Sequence, residues 1–270
     1  MNGRAARLIA IGVVTGLAGG LLGVGGGFVM VPAMVYLLKT PQREANGTSL
    51  AVIVPIAVVG ATILGGGHQV DVEVAIALAI GAVGGAVAGA RLSRRVSEAG
   101  LRRAFGVLAI VVGLLMIGEA VLHAVGAPVH FGSSLRPGGP SLWAMALLVG
   151  ALAGVLSGLL GIGGGAIMIP AMTLLMGLSQ HVAQGTSLLV IIPTAISGSI
   201  THFRMGNIRL ETAGWLSVGG VVGAIAGASL ALASPDQLLR LLFGGYLTFT
   251  GLQMMRFRPT DVIEPTMASR

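Results

Sequence analysis

The chain has 270 residues, 54% of them hydrophobic and only 9% charged, with a mean hydropathy of +0.94. Its formal net charge is +7, but so few charges, scattered between apolar runs, cannot build the solvated basic face that nucleic acid requires. It contains no cysteine, which excludes disulfides, thiolate metal sites and thiol chemistry.

Uncharged windows cover residues 8–38, 48–67, 74–90, 104–118, 142–201, 212–235 and 241–255. Crossing a hydrocarbon core takes roughly 20 residues of helix. The polar–apolar alternation of a transmembrane barrel is missing from these windows. The predicted fold class is therefore an all-α integral membrane protein.

The first window follows the basic start MNGRAAR. It has the flank and apolar stretch of a signal peptide, but no small-x-small cleavage site ends it and a similar segment recurs mid-chain, so it is expected to be retained. Within it, residues 21–34 read LLGVGGGFVMVPAM. Gly25, Gly26 and Gly27 allow positive φ at a point where one helix ends and another begins. Pro32 is expected near the first turn of the returning helix, where a missing N–H matters little.

Asn46-Gly47-Thr48-Ser49 is expected to open the next span, with Pro55 inside it. Gly81, Gly85 and Gly89 then form a small-xxx-small face, read as close helix packing. The Gly/Pro/Ser-rich stretch 123–140 reads as a linker.

Beyond the linker the order repeats. Residues 159–172 read LLGIGGGAIMIPAM, with Gly163, Gly164, Gly165 and Pro170, followed by Gln184-Gly185-Thr186-Ser187 and Pro193. Gly25 and Gly163 are 138 positions apart, and the same offset superposes both GTSL strings, Phe105-Gly106 on Phe243-Gly244, and Gly81, Gly85 and Gly89 on Gly219, Gly223 and Gly227. The chain is a duplication: a first membrane repeat at 1–122, the linker, a second repeat at 141–258 and a tail at 259–270. Glycine-interrupted segments at corresponding positions of two repeats point to a transporter's binding site.

Arginine placement predicts the topology. If residues 8–38 crossed once, the 16 Lys and Arg would divide eight to eight across the membrane. If that segment breaks at its glycines and returns, and its copy does likewise, fourteen of the 16 fall on one side, leaving Arg136 and Arg240 on the other. Cytoplasmic loops are enriched in Lys and Arg, so the hairpin arrangement is expected. Each repeat is then a glycine-broken hairpin or re-entrant segment followed by three transmembrane helices. The repeats are inverted, and both termini are cytoplasmic at the cell membrane.

A returning helix turns its N-terminus, with unpaired N–H groups and about half a positive charge, toward the interior. Such an end attracts an anion without a charged side chain. The windows hold no Lys, Arg, Asp or Glu, so a small anion is the expected substrate. The predicted substrate-binding set is Gly25, Gly26, Gly27, Asn46, Thr48, Ser49 and their copies Gly163, Gly164, Gly165, Gln184, Thr186, Ser187. For the GTS residues, ordinary N-capping by Thr or Ser is an equal alternative. The glycine string from Gly23 has no preceding strand and no GxxxxGK[ST] occurs, so no nucleotide, other cofactor or metal is expected. The expected partners are the anion and the lipid bilayer, with a homo-oligomer left open.

The doubled glycine phrase, each followed by GTSL and then a proline, resembles the TauE/SafE family of sulfite exporters and related membrane transporters. The likeness runs from about Leu8 to Met255. It implies movement of small sulfur-containing anions or organic sulfonates by a secondary transporter or facilitator, in the export direction, rather than an enzyme. Without cysteine, no thiol relay is available. The competing class is an intramembrane serine hydrolase using Ser157 and His202. Against it, the repeat partner of Ser157 is Gly19, and His202 reads as an interfacial residue at the end of a span.

Overall fold

The computed structural model describes residues 3–93, 98–124 and 139–256. Arg94, Arg95, Ser134, Arg136, Arg258, Arg270, most of the predicted linker and the whole tail lie outside the described residues.

All regular structure among the described residues is helical. In chain order it comprises α1 (Gly3–Leu22), α2 (Gly27–Leu37), α3 (Gln42–Gly66), α4 (Val72–Leu92), α5 (Glu98–Ala124), α6 (Pro140–Leu160) and α7 (Gly165–Pro170), which continues as a π-helical turn (Ala171–Leu175). Then come α8 (Gln180–Arg204), α9 (Leu210–Ala233) and α10 (Asp236–Arg256). Each half therefore holds a helix, a glycine break, a short helix and three long helices. Seven of the described helices are long and apolar enough to cross a membrane. α10 has 21 residues but is less apolar, carrying Asp236, Gln237, Arg240 and Gln253.

Local sequence explains the helix starts. Asp71 accepts a hydrogen bond from the N–H of Val74 at 3.1 Å to cap α4, and Ser179 accepts from Val182 at 3.3 Å to cap α8. Pro140 occupies the first turn of α6, where its lost N–H has no intrahelical partner to miss. Pro32 and Pro170 fall just past the first turn of their short helices, so the N–H each lacks is not one of the free donors of the helix start. Each is the sixth residue of its short helix, inside the second turn. After Pro170 the chain shifts to π-helical spacing, one way a helix absorbs an interior proline.

The two halves interlock. α1 packs along α9, α6 along α4, α3 on α8 and α5 on α10. The glycine faces make the first two contacts: Gly12, Gly16 and Gly20 meet the α9 backbone around Leu216, Gly220 and Ala224, and Gly150, Gly154 and Gly158 meet Leu78, Ala82 and Ala86 of α4. A Cβ at any of these six glycines would overlap a carbonyl oxygen, so the small residues are what let the backbones approach. The same holds for Gly81, Gly85 and Gly89 and for Gly219 and Gly223.

Equivalent helices of the two halves run antiparallel. A Cβ on Gly106 would lie 3.0 Å from the Gly251 carbonyl oxygen, while one on Gly244 would lie 2.8 Å from that of Gly113. Likewise Gly60 faces Leu188 and Gly198 faces Leu50. Each contact maps onto its reciprocal by the 138-residue offset.

Charge follows the same layout. Arg4, Arg7, Lys39, Arg43, Arg91, Arg103, Arg204, Arg209 and Arg256 lie at or near helix ends gathered on one end of the bundle, where Glu44 pairs with Arg209. The opposite end holds Arg240, bonded to Asp236 at 3.2 Å and to Glu119 at 3.0 Å, and His181, bonded to Asp236 at 3.0 Å. Glu119 follows the fourth uncharged window by one residue, and α5 continues through it and buries it to 8% exposure. A carboxylate is therefore held inside the bundle, with Arg240 as its counter-charge.

Candidate functional site

The two glycine breaks meet at the centre of the interlocked halves. Gly26 and Gly164, the residues before α2 and α7, both have φ of 81°, a left-handed conformation that costs an L side chain roughly 1–2 kcal/mol. The other positive-φ glycines of the breaks also correspond by the 138-residue offset: Gly23 with Gly161 and Gly25 with Gly163. Gly27 and Gly165 begin the returning helices themselves. Sequence reasoning placed the breaks correctly but missed Gly23 and Gly161. Both could have been found from their matched positions two residues before each triplet.

Contact between the breaks is close and reciprocal. A Cβ on Gly27 would lie 2.7 Å from the Gly161 carbonyl oxygen and 2.8 Å from Ile162 Cα. One on Gly165 would lie 2.8 Å from Val24 Cα and 3.0 Å from the Gly23 carbonyl oxygen. Ile53 covers Gly25 and Gly163. The start of each short helix has no side-chain cap, so none of the side chains here neutralises its N–H groups.

The GTS residues are not at helix starts. α3 begins at Gln42 and α8 at Gln180, so Asn46 and Gln184 are the fifth residues of their helices, and N-capping of their own helix does not account for them. The two threonines act across the halves instead. Thr48 Oγ1 accepts from the N–H of Arg209 at 3.0 Å, and Thr186 Oγ1 accepts from the N–H of Asp71 at 2.9 Å. Gly47 and Gly185 allow these loops to approach, backing onto Asn207 and Gln69. The threonines thus tether the turns before α9 and α4.

The amides and serines differ between the halves. Gln42 Nε2 donates to Asn46 Oδ1 at 2.9 Å, Asn46 Nδ2 donates to the Leu159 carbonyl at 3.0 Å, and Ser49 Oγ donates to the Gly161 carbonyl at 2.6 Å. In the second half Gln180, Gln184 and Ser187 are fully buried, and none of their side-chain polar atoms has a partner.

A cleft runs along α2 to the first break. Gly27, Phe28, Pro32, Gln42, Ile162 and Gln253 are among its lining residues. Gln42 at the start of α3 and Gln253 near the end of α10, both in its lining, put one end of it toward the arginine-rich end. It has no charged residue in its lining.

The serine hydrolase constellation is not assembled. His202 is fully buried in the last turn of α8, and its Nε2 lies 3.0 Å from the Gly158 carbonyl oxygen. Ser157 Oγ has no hydrogen-bond partner. No group of three or more metal-ligating side chains occurs among the described residues.

The family model described as "Sulfite exporter TauE/SafE" matches residues 2–116 and 146–269, and so takes in both breaks and the helices around them apart from the end of α5 and the start of α6. The chain belongs to the TauE/SafE family. Among its relatives is the probable membrane transporter protein YunE of Bacillus subtilis, 28% identical over 263 residues that cover 92% of this chain and 96% of the relative. YdhB of the same organism, also named a probable membrane transporter protein, is 27% identical over 86% of this chain and 93% of its own. MJ0441 of Methanocaldococcus jannaschii, with the same description, is 24% identical over 92% of this chain and 94% of its own. No solved structure matches significantly. The chain is thus a TauE/SafE membrane protein of the probable-transporter kind.

Proposed function

We propose that this TauE/SafE protein is a secondary transporter or facilitator that exports a small anion, sulfite or an organic sulfonate. The anion binds where the two glycine breaks meet, between the N-termini of α2 and α7. One observation carries the reading: two uncapped helix starts meet in the interior, and a cleft without charged side chains leads to one of them. Backbone N–H groups and helix dipoles then supply the positive potential. Broken backbone at membrane depth is tolerated where it lines a cavity.

The repeats are inverted in the bilayer. The antiparallel pairing of the equivalent helices α5 and α10, and of α3 and α8, supports this. α2 has 11 residues, about 16 Å at 1.5 Å per residue, roughly half a hydrocarbon core, which favours a re-entrant arm. The arginine-rich end is cytoplasmic by the positive-inside rule, so both termini face the cytoplasm and the cleft opens inward. The test is uptake into proteoliposomes holding the purified chain, screened over sulfite, sulfate, thiosulfate and small sulfonates. Saturable flux of one or more is expected, and flux of none would reject the reading.

A further inference from the structure

The repeat places two polar stripes at equivalent positions, Gln42, Asn46 and Ser49 on α3 and Gln180, Gln184 and Ser187 on α8. The spacing i, i+4, i+7 sets each stripe on one helix face. Their hydrogen bonds are not equivalent. The α3 stripe is tied internally and to the end of α6 and the second break, through Leu159 and Gly161. In the α8 stripe four amide atoms and one hydroxyl, all in residues of 0% exposure, have no partner. Buried polar groups in native proteins are almost always bonded, so a cluster of exceptions calls for a polar occupant.

Its position suits one. A Cβ on Gly23 of the first break would lie 2.7 Å from Gln184 Cβ, and one on Gly165 of the second would lie 2.9 Å from Ser187 Oγ. The α8 stripe therefore touches both breaks. The difference between the stripes also has a sequence cause. Position 46 is Asn and position 184 is Gln, and the shorter amide bonds the neighbouring carbonyl while the longer one makes no such bond.

We propose that the α8 stripe is the side-chain half of the anion site, with the amide N–H groups of Gln180 and Gln184 and the Ser187 hydroxyl donating to the oxyanion, while the α3 stripe is a clamp that holds the second break in place. The proposal rests on the small-anion reading above. It adds Gln180, which motif reasoning did not select, and removes Asn46 and Ser49 from the ligand contacts. Amide and hydroxyl donors suit an oxyanion, since their bonds to a charged acceptor are the stronger kind.

The test compares near-isosteric variants of the full-length protein in detergent, read by equilibrium binding of labelled sulfite, sulfate, thiosulfate and methanesulfonate and by melting without ligand. Gln180→Met and Gln184→Met are expected to weaken binding by about tenfold or more, with melting at or above that of the wild type. Asn46→Leu and Ser49→Ala are expected to melt lower, with binding changed by less than about threefold. The proposal is overturned if the glutamine variants bind as tightly as the wild type, or melt as low as the α3 variants. If the wild type binds none of the four anions, the small-anion reading itself fails and this site fails with it, a result distinct from unimpaired variants of a binding-competent protein.

Discussion

The hydroxyl of Thr48 on α3 accepts a hydrogen bond from the backbone N–H of Arg209, 161 residues away, at 3.0 Å. Its repeat mate Thr186 does the same for Asp71 at 2.9 Å. Each long helix of the central pair thereby fixes the turn that starts a helix of the other half. Thr48→Val and Thr186→Val keep the shape but leave a backbone donor unpaired, at about 1–3 kcal/mol each. Both should melt lower in detergent, and Thr→Ser at either position should restore the melting temperature. Valine variants melting with the wild type would mean that these bonds do not hold the turns.

The two break glycines should respond unequally to the same substitution. Gly26 and Gly164 share a φ of 81°, so alanine strains both by roughly 1–2 kcal/mol. A Cβ at Gly26 would also overlap the Thr15 carbonyl, whereas at Gly164 it would meet the Ala153 carbonyl at 3.1 Å, which a small shift relieves. Transport should fall in both variants, and Gly26→Ala should be the less stable in a thermal melt. Equal stability of the two would contradict this packing asymmetry.

What the sequence made legible follows from period and repetition. The glycine triplets stand out as three consecutive glycines inside an apolar run, and the 138-residue offset recurs without a gap, so the helix order follows from the repeat and any contact between the two breaks has its reciprocal. Hydrogen-bond partners were not legible. Thr48 and Thr186 face loops some 115 to 161 residues away, and no local pattern encodes that. Symmetry also misleads where the copies differ, as with Asn46 against Gln184. Glu119 escaped because windows of uncharged residues stop at the first charge, whereas a helix continues wherever its charge finds a partner such as Arg240.

Removing that partner should be severe. Arg240→Ala would leave Glu119 buried without a counter-charge, and breaking a buried pair this way costs on the order of 3–5 kcal/mol. Arg240→Met combined with Glu119→Gln should recover most of the loss, since neither charge is then buried. Melting curves of the single and double variants decide it. A double variant no better than Arg240→Ala would show that the arginine acts through Asp236 instead.

Membrane orientation can be read directly, because the chain has no cysteine of its own. Single cysteines at His68 or Ser134 should react with an impermeant maleimide in intact cells. Cysteines at Arg95 or Arg204 should react only after permeabilisation. Labelling of position 204 in intact cells would reverse the assignment drawn from the clustered arginines.

Direction and energy source follow from charge. A monovalent anion leaving a cell with an inside-negative potential gains about 2.3 kcal/mol per 100 mV, so export needs no coupled ion, while uptake would. The cleft to Gly27 has no ionisable group in its lining apart from Tyr36. Glu119, the buried carboxylate, is held by Arg240 at the opposite end of the bundle from Gln42 of the cleft. Proteoliposomes loaded with the transported anion should therefore release it faster under an imposed inside-negative potential, with little response to a proton gradient. Glu119→Gln should keep the voltage response wherever it still folds. The opposite pattern, efflux indifferent to voltage, driven by a proton gradient and uncoupled by Glu119→Gln, would replace the electrogenic reading with proton coupling through the α5–α10 pair.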